Sequence, residues 1–521
     1  MTERFYLTTA IFYPAPKPVL HSMFEAVGAD AIARYHRLLG EDVRFLTGMD
    51  EHSANVERDA REQGIDPRDL IDPWAARWKE TFDRFGISAD RFIRTTDPDH
   101  AEASVEMVRR AQAAGDVYKG VYSGWFCPGD NEFKTESQLV DGRCPDHPTL
   151  ELKWLEEENY FFRLSRYQEP LERLYAENPS FCEPEHFRNE VLAWLREGLR
   201  DFSVSRSGTT WGIPFPGDPA HRIYVWFDAL TNYLTGAGFP NDPVAMDRWW
   251  PADLHVIGKN ITRFHCLYWP AMLMSAGLPL PKRVFAHGFM LDVSGQRMSK
   301  TTGNTQDPEE AAATFGVDGV RYAVLAEVPF DRDANVTFES FVRRYNADLA
   351  NDLGNLVNRT VSMSARYLDG HLPPVVASTA PPDLEIRHTA ERVIERYHAA
   401  FGSHHLDEAL AAIMQLASAA NGYAESQAPW SLNKSGDTQR VGQVLAVMGE
   451  ACRILGHLLA PVAPTGARAI HEQLGAPPPY DERGAGGPGL GSLIAWGGET
   501  RGLVTGAASP IFPRIEVEAT V

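Results

Sequence analysis

Residues 4 to 13, Arg-Phe-Tyr-Leu-Thr-Thr-Ala-Ile-Phe-Tyr, form an apolar run rich in β-branched and aromatic side chains, and Pro14, Pro16 and Pro18 break it. The pattern predicts a strand followed by a loop. From 23 to 39, Met23, Val27, Ala31, Ala33, Tyr35 and Leu38 recur at roughly helical spacing, Gly40 closes the element, and Val43 to Thr47 again reads as a strand. This is a βαβ unit. Such units build parallel sheets whose ligands sit at the carboxyl ends of the strands, so residues 11 to 22 and 48 to 52 are expected to meet in one crevice. From about 117 to 220 the chain turns to short aromatic pieces with Gly, Pro, Cys and His, the mark of an insertion. The α/β pattern resumes with Ile223 to Phe227 and with Leu254 to Ile257 before Gly258. Beyond about 340, and above all from 386 to 475, Ala, Leu and Arg dominate and predict packed helices. Residues 476 to 509 are rich in Gly and Pro and read as loop, while the apolar tail Ile511-Phe512-Pro513-Arg514-Ile515 is expected to dock back on the fold. There are no internal repeats.

Composition narrows the class. With 521 residues the chain is expected to hold more than one domain, and with 44% hydrophobic residues it reads as soluble and globular. No apolar run approaches the ~18 residues of a membrane span, and no charged leader precedes an apolar stretch, so the expected location is the cytoplasm. The net charge of −20 argues against indiscriminate nucleic-acid binding, so any RNA partner must meet a local basic patch. Five cysteines are too few and too scattered for a disulfide framework.

The chemistry is concentrated in Gly-Gln-Arg-Met-Ser-Lys-Thr-Thr-Gly-Asn at 295 to 304, a glycine-bounded loop with two cations and three hydroxyls. A phosphoryl transition state spreads negative charge over its oxygens, and fixed donors such as Arg297, Ser299 and Lys300 stabilise that charge. The segment resembles the Lys-Met-Ser-Lys-Ser loop of class I aminoacyl-tRNA synthetases, with Arg297 for the first Lys and Thr301 for the last Ser. Stretches 9–13, 43–52, 224–233 and 254–273, with "YVWFDAL", "DLHVIGK" and "FHCLYWPAML", extend the resemblance to bacterial methionyl-tRNA synthetase over almost the whole chain.

That resemblance implies an α/β fold, with a Rossmann-type parallel sheet, an inserted connective domain carrying a zinc-knuckle-like hairpin, and an α-helical anticodon-binding bundle. The corresponding divisions are 1–116 and 221–340 for the two halves of the catalytic domain, 117–220 for the insertion, 341–480 for the bundle, and 481–521 for a Gly/Pro-rich linker and a segment that folds back. A methionine pocket needs apolar and aromatic walls for a flexible thioether and an acceptor for the ammonium group. Ile11, Tyr13, Trp226, Ala229, Tyr233 and His265 supply the walls and polar edges, and Asp50 the acceptor; all stand where the resemblance puts methionine-binding residues.

The nucleotide half departs from the family. Where the resemblance implies His-x-Gly-His, this chain has Val19-Leu20-His21-Ser22, with a histidine at the glycine position. A side chain there is expected to collide with a base stacked on the backbone unless the loop shifts, in which case His21 reaches the α-phosphate with Lys17 as an added cation; His21 as an ordinary loop histidine is the alternative. Ser53 replaces a usual glycine, and Asn260 after Gly258-Lys259 replaces an Asp near the ribose, keeping a carbonyl but losing the charge. The expected ATP-binding set is Lys17, His21, Ser22, Gly258, Asn260, Arg297, Ser299 and Lys300. Catalysis is expected to fall to Lys300 with His21, and Mg²⁺ is expected to accompany ATP.

Cys127, Asp130, Cys144 and His147 follow C-x2-D-x13-C-x2-H, a spacing that suits structural zinc, with Asp130 where the family has Cys; a metal-free loop is the alternative. Asn355 and Arg359 lie four apart on one predicted helical face and Trp430 offers a stacking plane, matching the residues that read the CAU anticodon of methionine tRNA. The implied activity is methionine–tRNA ligation by a monomer acting on methionine, ATP and tRNA(Met), with no membrane partner. The alternatives are a paralogue with little adenylation that acts as a tRNA-binding or regulatory protein, and an auxiliary copy serving biosynthesis or inhibitor resistance.

Overall fold

The computed structural model describes residues 3–128, 132–134, 136, 139–145, 148–296, 307–478, 489–499 and 501–516. The opening apolar run forms β1 (Arg4–Thr9), and α1 (Leu20–Leu38) and β2 (Asp42–Met49) complete the expected βαβ unit. Phe5 and Leu7 join one hydrophobic cluster while Tyr6 joins another, so alternate side chains of β1 face opposite sides of the sheet. β1 ends at Thr9 rather than at Tyr13. Past it, Phe12 makes only an isolated bridge to Met49, and Ile11 and Tyr13 turn to a cavity instead of a sheet face.

Six parallel strands lie in the order Arg91–Arg94, β2, β1, Leu254–Gly258, Val284–His287, Cys182–Glu183. The chain leaves β1 towards β2 on one side, and the strand Leu254–Gly258 flanks it on the other. A crevice opens between the carboxyl ends of such strands, where the connections diverge.

Nearly every residue of α1 is buried, because the helix lies between the sheet and the helical half of the chain. Its close packing requires Gly28, where a Cβ would lie 2.5 Å from the Phe330 ring. The helices Asn355–Tyr367, Pro381–Gly402, Leu406–Gln427 and Thr438–Leu459 share one apolar cluster with α1. Arg321, fully buried, joins the two halves: it donates to the carbonyls of Phe85, Pro461 and Val462 and to the carboxylate of Asp30. Burial alone would raise the Asp30 pKa, but Arg34 and Arg321 outweigh it and hold the carboxyl well below its usual value.

Between the sheet strands an antiparallel sheet is inserted, in the order Glu132–Lys134, Val117–Cys127, Lys153–Phe162, Phe202–Ser203. After it, the apolar stretch from 223 does not continue as a strand. The helix Val225–Ala237 begins there and is buried on every side. The segment read as loop from 476 to 509 contains a short helix, Leu490–Leu493, and a strand, Leu503–Val504, that pairs with His371–Leu372. The tail packs onto the fold. Phe512 is buried against Gly466, and Ile515 exchanges two hydrogen bonds with the Asn346 side chain. Among the described residues no helix is long and apolar enough to cross a membrane.

Candidate active site

A cavity of about 400 Å³ opens at the carboxyl ends of β1, β2 and Leu254–Gly258. It gathers every described residue that the sequence placed in the amino-acid and nucleotide sites: Ile11, Tyr13, Asp50, Trp226, Ala229, Tyr233 and His265, together with Lys17, His21, Ser22, Gly258 and Asn260. Arg297, Ser299, Lys300 and Thr301 lie outside the described residues. Asp292, shortly before them in the chain, accepts hydrogen bonds from the backbone N–H groups of Ser294 and Gln296.

One end is aromatic. Trp226 stacks on Phe264 at 3.6 Å between ring centroids, and Tyr13 meets Trp226 edge-on at 6.4 Å. His265 lies in a π-helical turn, Phe264–Tyr268, and its protonation is set by its neighbours. Nδ1 lies 3.0 Å from the Ile261 carbonyl, which can only accept, so Nδ1 carries the proton. Nε2 therefore accepts from the Tyr233 hydroxyl at 2.6 Å. Burial lowers the His265 pKa to about 4 and raises that of Tyr233, so both are neutral near pH 7.

Asp50 supplies the only carboxylate at this end among the described lining residues, and it is 4% exposed. Its Oδ1 has no hydrogen-bond partner. Burial first, then the nearby charges of Asp228 and Glu51, push its pKa well above the usual carboxylate value. An unpartnered buried carboxylate oxygen is costly, and a ligand cation is what would satisfy it.

The other end is polar. Glu25 accepts from the Ala10 N–H at 3.0 Å and meets His287 Nε2 at 2.8 Å. His21 stands on the first turn of α1, with its ring edge-on to Phe289 at 5.1 Å and 6.2 Å from that of His287. Lys17 reaches the cavity rim but is ion-paired to Asp307, the N-cap of the helix Pro308–Glu327. Asn260 is exposed at the mouth. Sequence reasoning missed Glu25 and His287: the spacing of Glu25 one helical turn after His21 was a legible signal, whereas the strand that ends at His287 was not read from the sequence.

Away from the cavity, Arg359 lies 5.5 Å from the Trp430 ring and 2.8 Å from Glu425, and Asn355 is exposed one turn earlier on the same helix. Cys127 and Cys144 are buried and in no disulfide; Asp130 and His147 lie outside the described residues. No cluster of three or more candidate metal ligands occurs among the described residues.

The family described as tRNA synthetases class I (M) matches residues 5–151 and 148–361. Methionine–tRNA ligase of Thermosynechococcus vestitus is 42% identical over 530 residues, covering 100% of this chain and 99% of that protein. The chain belongs to the class I methionyl-tRNA synthetase family. A second relative of this synthetase, the methionine–tRNA ligase of Mycobacterium bovis, is 47% identical over 485 residues, covering 91% and 92% of the two chains. Among solved structures, Mycobacterium tuberculosis methionyl-tRNA synthetase in complex with methionyl-adenylate superposes on the synthetase with a TM-score of 0.92, 44% identity, and coverage of 98% and 100%. The free form of that enzyme gives a TM-score of 0.84 at 41% identity, covering 99% of both chains.

Proposed function

We infer that the chain is a methionine–tRNA ligase. The observation that carries this reading is the junction, in one cavity, of an unpartnered Asp50 oxygen with an aromatic wall whose His265 is neutral. An ammonium group satisfies the first, and an uncharged thioether suits the second. Asp50 would take the ammonium, while Ile11, Tyr13, Trp226, Ala229, Tyr233 and His265 would enclose the side chain. The methionine carboxylate would then attack the α-phosphorus of ATP, forming methionyl-adenylate as pyrophosphate leaves. Lys300, with Arg297 and Ser299, would offset the charge that develops on the phosphate oxygens. Mg²⁺ enters with ATP as part of the substrate. In the second step the terminal adenosine hydroxyl of tRNA would attack the adenylate carbonyl, and AMP leaves.

The first turn of α1 and the strand end at Gly258 would frame the nucleotide end, where Lys17, His21, Ser22 and Asn260 would meet the phosphates and ribose. One observation favours a second reading, a tRNA-binding paralogue with little adenylation: the His21 ring occupies the cavity where a family glycine would leave room for the base.

Asn355, Arg359 and Trp430 would read the CAU anticodon; the exposed Trp430 face and the guanidinium beside it suit base stacking. The two buried thiols fit a zinc knuckle, in which Cys127, Asp130, Cys144 and His147 would hold the ion, and the ion would serve only to fold the hairpin. Charging of methionine tRNA tests the reading directly. The expected result is methionine-dependent aminoacylation that falls when the CAU anticodon is altered. Equal charging, or equal binding, of both tRNAs would remove the role given to the three anticodon residues.

A further inference from the structure

Asp228 lies on the helix Val225–Ala237 between Trp226 and Ala229, both of which line the cavity, yet Asp228 itself is fully buried outside it. Its Oδ2 accepts from His52 Nδ1 at 2.7 Å, and its Oδ1 accepts from His100 Nε2 at 2.8 Å and from Ser104 Oγ at 2.9 Å. His100 Nδ1 is 3.1 Å from Thr235 Oγ1, two turns further along the same helix. None of these groups takes part in the steps described above. Burial alone would raise the Asp228 pKa, but His52 and His100 hold the carboxyl well below its ordinary range, so Asp228 is a fixed negative charge.

His52 follows Asp50 and Glu51 at the carboxyl end of β2. That short peptide is clamped at several points. The Glu51 N–H donates to Thr95 Oγ1 at 2.8 Å, the Glu51 carbonyl accepts from Trp211 Nε1 at 2.7 Å, and Arg94 Nε meets the Glu51 carboxylate at 2.6 Å. The link from His52 to Asp228 ties the peptide to the helix that also carries Trp226, Ala229 and Tyr233.

We propose that Asp228 is a positioning residue for the amino-acid substrate: through His52 it fixes how Asp50 enters the cavity relative to the aromatic wall, and its buried charge makes that point favour an ammonium group. The proposal rests on the ligase reading above. The groups facing Asp50 agree with it. Asp228 acts from the helix, Glu51 from the neighbouring position with Arg94 on its carboxylate, and the His52 N–H donates to Asp50. Tyr233 and His265, on the wall of the same cavity, are neutral. Two buried like charges are relieved when a cation arrives, so ligand binding removes a repulsion as well as adding a hydrogen bond.

Asp228→Asn keeps the shape, removes the charge and leaves one imidazole N–H facing an amide N–H. The expected result is a rise of about tenfold in the methionine KM for ATP–pyrophosphate exchange, with the ATP KM within about twofold of wild type. Because Asp228 is one of the groups that raise the Asp50 carboxyl, the acid limb of the pH profile of methionine KM should move to lower pH. A purely structural defect would raise both KM values together and leave the profile in place, and either of those results, or an unchanged methionine KM, would overturn the proposal. If the Asp228→Asn variant fails to fold, His52 decides. His52→Gln keeps a donor towards Asp228 and should retain the methionine KM, whereas His52→Ala should raise it; equal values for the two would refute the link. Methionine titrations followed by tryptophan fluorescence read the same differences without ATP. Wild-type protein that binds methionine but shows no exchange would count against the ligase reading while leaving these titrations to judge Asp228.

Discussion

Replacing Asp50 with asparagine should weaken methionine binding and at the same time stabilise the free protein. The carboxylate is buried, its Oδ1 has no partner, and burial together with Asp228 and Glu51 raises its pKa. Each unit of that rise costs the free protein about 1.4 kcal/mol at pH values above the folded pKa. The sign follows from proton binding. Between the unfolded pKa and the raised folded pKa the native state holds more protons than the unfolded chain, so stability is greatest below that window and falls as pH rises through it. The substitution removes this penalty and leaves a neutral amide in place of the carboxylate, which is cheaper to bury than a charge. Without methionine, the melting temperature of Asp50→Asn should therefore exceed that of wild type by on the order of 1–3 °C near pH 7.5, with a smaller gap at lower pH. With methionine the order should reverse, since a charge-assisted hydrogen bond is worth roughly 1.5–3 kcal/mol, or about a 10- to 150-fold rise in methionine KM. Scanning calorimetry with and without methionine, alongside exchange kinetics, checks both arms. A lower melting temperature for the free variant, or a methionine KM within about threefold of wild type, would refute the assignment of Asp50.

Tyr233→Phe should leave His265 Nε2 buried without its donor, raising methionine KM by about tenfold with little change in ATP KM, as read by exchange kinetics. Trp430→Ala and Arg359→Ala should each weaken tRNA binding by roughly 1–3 kcal/mol in filter assays while leaving methionine activation unchanged. The buried neutral histidines make the fold sensitive to acid. Burial lowers the pKa of His265 and His471 to about 4 and that of His404 to about 3. Their contribution is present above the ordinary histidine pKa and is lost as pH falls towards those values, so unfolding midpoints in urea should drop steadily from about pH 6.5 to pH 4.

Much of the site was legible in the sequence because it follows from one βαβ unit. A strand, a helix and a parallel strand bring residues 11 to 22 and 48 to 52 to the same edge, and the cavity holds Ile11, Tyr13, His21 and Asp50 there. What was not legible has physical reasons. The helix Val225–Ala237 is buried on every side, so no solvent-facing polar stripe sets it apart from a strand. Ile11 and Tyr13 look like continuing strand because a cavity wall and a sheet face demand the same apolar side chains. The π-helical turn that aims His265 is a matter of backbone register, which composition does not encode. Asp228, His52 and His100 meet across more than a hundred residues of chain, and nothing local marks them as a group. Lys17 reads as a spare cation until the fold places Asp307 beside it.

This chain is expected to activate methionine although Val19-Leu20-His21-Ser22 replaces the motif that its family resemblance implies. Methionine-dependent exchange of pyrophosphate into ATP, measured for wild type and for Lys300→Ala, tests it most directly. Robust exchange is expected in wild type, with a loss of at least about 100-fold in the variant, since a transition-state cation is removed. Absence of exchange in wild-type protein that still binds methionine tRNA, or exchange that survives the loss of Lys300, would contradict it.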